Sequence, residues 1–342
     1  MIETQDSNIG QCFVHSLQFS EPSDNIISSP LDFIDKNIHT VLHKWLFNSL
    51  SQDEFFHMSP NLVDPALQIS KLIGDLFDDN SGEGLSHHQT ASLIFKELNG
   101  SIQTLITATV ENLLFEDELC NGFVIAFPNP TIPFLDFGSI QHSNTPLILS
   151  GWPLDKMNMG VLILDTFKED GRRICLKNTS KRDHIFETVK SRLLSLSPVA
   201  NPFHYTNNYL KICNKFIKEQ LPEEVSITRT EQADILNKSM SYFKSADSFS
   251  EPEFLDSIFP NEELSESFKQ YKKSYVAEHE LKMPNDFDIS DAAVKKQQRV
   301  FKSVLKLDKN FHIYIHGDKE LIHKGADPDG RKYYKIYFQE EH

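Results

Sequence analysis

Six cations crowd one short stretch of the chain: Lys295, Lys296, Arg299, Lys302, Lys306 and Lys309. At 100° per residue, a helix running to about Lys302 puts Lys295, Arg299 and Lys302 on one face. Ala293, Val294, Val300 and Phe301 fall on the other. Asp288 or Ser290 supplies the N-cap. Cations at helical spacing can neutralise successive phosphates of a nucleic-acid backbone, which positions the protein without reading bases. The same pattern also suits a plain solvated helix face.

A second candidate lies just downstream. Ser303 to Leu307 and Phe311 to Ile315 read as strands, and a third, Arg331 to Phe338, follows the turn Asp327-Pro328-Asp329-Gly330. In this three-stranded β-meander Tyr334, Ile336 and Phe338 point inward. The outward face, with Lys306 beside it, holds His312, Tyr314, His316, Tyr333, Lys335 and Tyr337. Aromatic rings interleaved with cations are the composition of a base-stacking platform for single strands. The favoured reading has the central helices covering this face, since large aromatics are more often buried than displayed.

Other chemistry fares worse. His312 and His316 stand about 13 Å apart on a strand, too far to share an ion. His39 and His43 lie i,i+4 on a helix but lack the Glu of H-E-x-x-H, which favours a structural role. Asp327-Pro328-Asp329-Gly330 resembles a calcium loop only in its acidic turn. No phosphate-binding glycine loop, dinucleotide fingerprint or nucleophile elbow occurs. No catalytic residue, metal or cofactor is expected, and the chain is read as a non-enzyme.

Charge divides the 342 residues unevenly. The net charge is −15, but residues 1–200 hold 13 basic and 25 acidic side chains against 21 and 24 in residues 201–342. From Glu97 to Asp155 there is no lysine or arginine. A phosphate-binding surface therefore belongs to the C-terminal part. A fragment ending near Ser197 is expected not to bind nucleic acid. The run Arg172, Arg173, Lys177, Lys181 and Arg182 is the one local exception. Four widely spaced cysteines read as free thiols in a reducing cytosol. No signal peptide or membrane-length apolar run is seen.

The elements that must position these residues form an α+β chain. Residues 1–200 read as an acidic N-terminal α+β domain with an antiparallel sheet and helices. Residues 201–342 read as a C-terminal domain with a central helical segment, then a helix and the meander. A first strand is expected over Gln11–Phe19. Ser29-Pro30 reads as the start of a helix over Leu31–Leu50, with Ile34, Ile38, Val41, Leu42 and Trp45 on its stripe. Helices near 65–77 and 87–98 follow, then strands over 104–111 and 122–127. Residues 128–153, rich in Pro, Ser and Asn, read as an irregular insertion or divergent hairpin. A hairpin around 168–171 precedes the boundary at Ser197–Pro202. Helices over 206–220, 231–243, 251–258 and 262–279 come next, with Pro222 and Pro260 placed just past two of their ends.

Several stretches resemble the bacterial 37-kDa nucleoid-associated protein family. FDISDAAVKKQQRVFKSVLKLDKNFHIYIHG is similar to its C-terminal signature. PFHYTNNYLKICNKFIKEQLPEE, QADILNKSMSYFKSADSF and SFKQYKKSYVAEHEL are similar to its central helices. ISSPLDFIDKNIHTVLHKWLF and DEFFHMS are similar to its opening. The resemblance touches most of the chain and is strongest from about residue 201 onward. It implies a bacterial protein of the cytoplasm and nucleoid, and brings no catalytic residues. The expected function is weakly sequence-specific DNA association through the basic helix face. The alternative is a non-catalytic adaptor whose acidic N-terminal part docks basic nucleoid or DNA-processing proteins, a role compatible with phage defence. A membrane partner is not expected, and a homo-oligomer stays open.

Overall fold

The computed structural model describes residues 2–17, 26–31, 36–48, 50, 54–78, 84–136, 147–154, 157–179, 183–224, 227–259, 262–298, 301, 303–307, 311–315, 321–338 and 340, with the backbone alone for 303–307 and 311–315. It divides into two units, Met1–Val199 and Ala200–His342. Among the described residues no helix is long and apolar enough to cross a membrane.

The first unit is built on one antiparallel sheet. In chain order its elements are β1 (Ile2–Glu3), β2 (Asn8–Leu17), β3 (Ile26–Pro30), α1 (Lys36–Asn48), β4 (Phe55–Met58), α2 (Ala66–Asp78), α3 (Leu85–Leu98), β5 (Thr104–Phe115) and β6 (Glu118–Phe127). After them come β7 (Ile132–Asp136), β8 (Leu147–Gly151), β9 (Met159–Leu164), β10 (Arg173–Asn178), α4 (Asp183–Glu187) and β11 (Leu196–Pro198). The sheet runs β11-β4-β10-β9-β6-β5-β2-β3, with β1 pairing β5. Strands β6 and β9 read GFVIAF and MGVLIL because both of their faces are covered. Phe123, Ile125, Val161 and Ile163 pack with Ile69, Ile73, Ile94 and Phe95 of α2 and α3. Val124, Ala126, Leu162 and Leu164 pack with Trp45, Leu46 and Phe47 of α1. Burial pushes the Cys12 thiol up to about 12. Cys175 and, in the second unit, Cys213 are buried cysteines outside any disulfide, and Cys120 is half-buried.

Three differences from the sequence reading appear here. Ser29-Pro30 ends a strand rather than starting a helix: β3 pairs β2 with Val14 opposite Ser29 and Phe13 opposite Pro30. Proline is tolerated there because β3 closes the sheet's edge, where a missing N–H breaks no ladder on the open side. The apolar stripe of α1 is also displaced, since Ile38 and Val41 are exposed while Trp45, Leu46 and Phe47 are buried. Strands β5 and β6 extend to a two-residue turn at Glu116-Asp117, both with positive φ, which matches the twist of a tight hairpin. The 128–153 segment carries its own two-stranded sheet, β7 with β8, outside the main one. Ile132, Phe134, Leu135, Ile148 and Leu149 are all exposed on it.

Three histidines, His15 and His87 buried and His88 half-buried, share a polar chain in this unit. Ser28 Oγ lies 2.7 Å from His88 Nδ1 and 2.7 Å from His15 Nδ1. His15 Nε2 is 2.8 Å from Thr107 Oγ1, which is 2.7 Å from His87 Nδ1. Each hydroxyl has one proton for two ring nitrogens, so proton order at one end of the chain dictates it at the other. Burial pulls His15 down to about 4 and His87 down to about 3, with each ring's neighbouring histidine adding to the shift.

The second unit is helical around an aromatic core. Its elements are α5 (Pro202–Lys215), α6 (Leu221–Glu224), α7 (Arg229–Ser245), β12 (Ser248–Ser250), α8 (Glu251–Ile258), α9 (Glu262–Glu278), β13 (Asp286–Asp288), α10 (Asp291–Gln298), β14 (Ser303–Leu307), β15 (Phe311–Ile315), β16 (Ile322–Ala326) and β17 (Lys332–Ile336). Asn201 caps α5 by accepting from the His204 N–H at 2.9 Å, with Pro202 in the first turn. Thr228 and Glu231 form a reciprocal capping box on α7. Pro222 does not stop the chain at 220. A wide π turn over Phe216–Gln220 leads directly into α6, so the helical path runs to Glu224. Tyr209, Phe216, Phe243, Phe249, Phe254 and Phe268 are fully buried together. Inside this core Lys272 Nζ lies 2.7 Å from Glu251 Oε1, which also accepts from the Tyr209 hydroxyl at 3.2 Å.

The C-terminal strands correct another expectation. They do not form one three-stranded meander. Among the described residues β14 pairs β15 and β16 pairs β17, as two separate hairpins. Ile322–Ala326, with its glycine and lysine, lacks the alternation that marks a strand from sequence.

Candidate nucleic-acid interface

The basic helix is shorter than its cations. α10 covers Asp291–Gln298, and Ser290 caps it by accepting from the Ala293 N–H at 3.4 Å. Asp288, the other expected N-cap, instead ends β13, which pairs with β12. Ala293, Val294 and Gln297 face inward, with Phe301 buried just beyond. Gln297 Nε2 donates to Asn207 Oδ1 at 2.7 Å, a buried polar tie to α5 that periodicity alone could not reveal. Lys295 and Lys296 are exposed, in the last turn where the helix dipole favours cations. The Lys296 ammonium stands 5.2 Å from the Phe203 ring centre. Arg299, Val300, Lys302 and Lys309 lie outside the described residues. Lys306 sits on β14, directly across from His312 on β15, and Val304 is across from Tyr314. The side chains of Lys306, His312 and Tyr314 lie outside the description.

The aromatic candidates are split between the hairpins. Tyr333, Lys335 and Tyr337 belong to the second one, where Lys335 pairs with His323 and Tyr333 with Gly325. These residues share a face. His323 and Tyr337 meet edge-on with ring centres 5.5 Å apart, and the Lys335 ammonium is 4.9 Å from the Tyr337 ring centre. The Tyr333 ring lies over Gly325, so closely that a Cβ there would stand 2.3 Å from Cζ. The central helices do not cover this face: Tyr333 is 44% and Tyr337 46% exposed. On the other face Ile322 and Tyr334 pack against Ala233 of α7. Tyr334 is thus inward as expected, while Ile336 and Phe338 are exposed. His323 was not foreseen, because the strand that carries it was not.

The remaining candidates are engaged in local structure. His43 Nε2 lies 2.8 Å from Ser7 Oγ, and His39 Nε2 accepts from the Ile9 N–H at 3.3 Å, so this pair fastens α1 to the start of β2. Of the short basic run, Arg172 pairs with Asp165 at 3.5 Å. Arg173 pairs with Asp170 at 3.8 Å and stacks 4.0 Å from the Phe167 ring centre. Lys181 and Arg182 lie outside the described residues.

The model of the family NA37, described as nucleoid-associated protein YejK, matches residues 133–334. No curated protein matches the chain.

Proposed function

The chain belongs to the NA37 family, that of nucleoid-associated protein YejK, and from that premise we propose that it holds nucleic acid by its phosphates, without catalysis, through the second unit. The observation that carries this reading is α10. Its buried Ala293, Val294 and Gln297 fix the helix, and Lys295 and Lys296 are left at the surface of a chain that is otherwise acidic. Arg299, Lys302, Lys306 and Lys309 continue the cationic stretch in sequence. Phosphate contact carries no base information, so binding is weakly sequence-specific. The first unit, with its −12 balance, takes no part in this contact.

A salt titration tests the reading. Log affinity for duplex DNA should fall steeply with log salt. Lys295→Gln with Lys296→Gln, and separately Arg299→Gln with Lys302→Gln, should each lower that slope by roughly two units, about 0.9 per lost contact. The loss should be similar on unrelated sequences, with melting unchanged because exposed charges contribute little to stability. A normally melting variant with the parental slope would return the strip to a solvated face. Prolonged incubation of DNA with the protein and Mg²⁺ or Mn²⁺ tests the absence of catalysis.

A second reading, the protein-docking adaptor, draws support from the exposed apolar hairpin β7–β8 inside the window free of lysine and arginine. It requires that the purified chain have almost no affinity of its own for DNA.

A further inference from the structure

We propose that the face of β16–β17 bearing Tyr333, Tyr337, His323 and Lys335 is a stacking platform for unpaired bases of single-stranded nucleic acid. This rests on the nucleic-acid reading above but uses different residues and different chemistry. The hairpin is fixed from behind by Ile322 and Tyr334 against Ala233. Its front therefore keeps Tyr333 and Tyr337 in water while Ile322 and Tyr334 hold the back. Such exposure costs hydration free energy that a flat aromatic ligand would recover.

The spacing suits a strand of nucleotides. Tyr333 and Lys335 on β17 and Tyr337 just past its end, where its N–H donates to the Leu321 carbonyl, alternate at about 6.6 Å per pair of residues. Two rings thus stand roughly 13 Å apart with a cation between them. Each ring can take its own base while Lys335 meets the phosphates that join them. The Lys335 ammonium, 4.9 Å from the Tyr337 ring centre, is charged at neutral pH as an ordinary lysine is. Gly325 is part of the device. Any side chain there would displace the Tyr333 ring from its cross-strand seat.

Charge selects the occupant. Lys335 stands on the platform face, Lys324 and Lys332 stand on the back in register with Tyr334 and Ala326, and Arg331 is paired with Asp329, so the hairpin carries four cations against Asp327 and Asp329. The segment is thus positive within a chain of net charge −15. Rings plus cations favour a polyanion with accessible π faces over a protein or lipid surface. Paired bases in a duplex do not offer those faces.

The test compares the full chain binding oligothymidylate and a duplex of equal length. The parent should bind both. Tyr333→Ala with Tyr337→Ala should weaken oligothymidylate binding by roughly tenfold or more per ring, while duplex affinity stays within about twofold. Tyr333→Phe with Tyr337→Phe should restore single-strand binding, because stacking needs the ring and not the hydroxyl. With the unaltered chain, a 5-iodouracil oligonucleotide should photocrosslink at Tyr333, Tyr337 or His323. Crosslinks confined to other residues, or an alanine variant that binds oligothymidylate like the parent, would overturn the platform. A parent that binds duplex but no single strand sinks this inference alone. A parent that binds neither sinks the phosphate reading as well.

Discussion

Glu251→Ala will destabilise the second unit by about 3–5 kcal/mol, as breaking a buried ion pair does when one charge is left behind. The Lys272 and Glu251 side chains are only 11% and 13% exposed. Without the carboxylate, the Lys272 ammonium keeps only Asn285 Oδ1 at 3.4 Å and the Tyr209 ring, whose centre is 5.3 Å away. The Tyr209 hydroxyl loses its acceptor in the same step. Replacing both partners, with Glu251→Leu and Lys272→Met, should recover most of the loss, since no charge is then stranded. Both tryptophans, Trp45 and Trp152, lie in the first unit. Urea unfolding should therefore show the change by far-ultraviolet circular dichroism and leave the tryptophan transition in place. A double variant as unstable as Glu251→Ala would place the cost in packing rather than in charge.

The second large effect is acid lability of the first unit. His15 and His87 titrate near 4 and 3 when folded, against an ordinary value of 6.5. The unfolded chain therefore binds more protons below pH 6.5. Their stability contribution is fully present above that value and is lost as pH falls toward 4 and then 3. At pH 5 the difference is about 2 kcal/mol for each ring, at about 1.4 kcal/mol per pH unit. Tryptophan-detected urea midpoints should fall between pH 7 and pH 5, before most carboxylates begin to protonate. His87→Phe should reduce that slope by about half, because the substituted ring has no proton to take up while His15 still does. Equal slopes in the parent and the variant would remove the histidine chain as the cause.

What could be read from sequence followed the range of the forces involved. Helices α2 and α3 came through because their apolar period is local and Asn99, with positive φ, ends α3 where Asn-Gly suggested. Strands β6 and β9 came through as continuous apolar runs. β3 did not, since its strand state depends on pairing with β2, and a Ser-Pro pair looks locally like a helix start. Pro222 misled because the π turn before it widens the helix, a feature with no local signature. For the candidate interface, the outward placement of Lys295, Tyr333, Lys335 and Tyr337 followed from period alone. The partners that complete it, Gln297 on Asn207 and His323 across from Lys335, are tertiary and needed the register.

The β7–β8 hairpin sets how this chain behaves as salt rises. Exposed Ile132, Phe134 and Leu135 stand on one strand, and Ile148 and Leu149 on the other. A two-stranded ribbon with apolar groups on both faces has little to hold it against water. Ions excluded from protein surfaces, sulfate above all, strengthen its tendency to cover itself, while the same ionic strength weakens contact with phosphates. Salting-out and loss of the proposed phosphate contact therefore run in the same direction. Ammonium sulfate that readies the chain for a hydrophobic-interaction resin would also strip nucleic acid held in the proposed way.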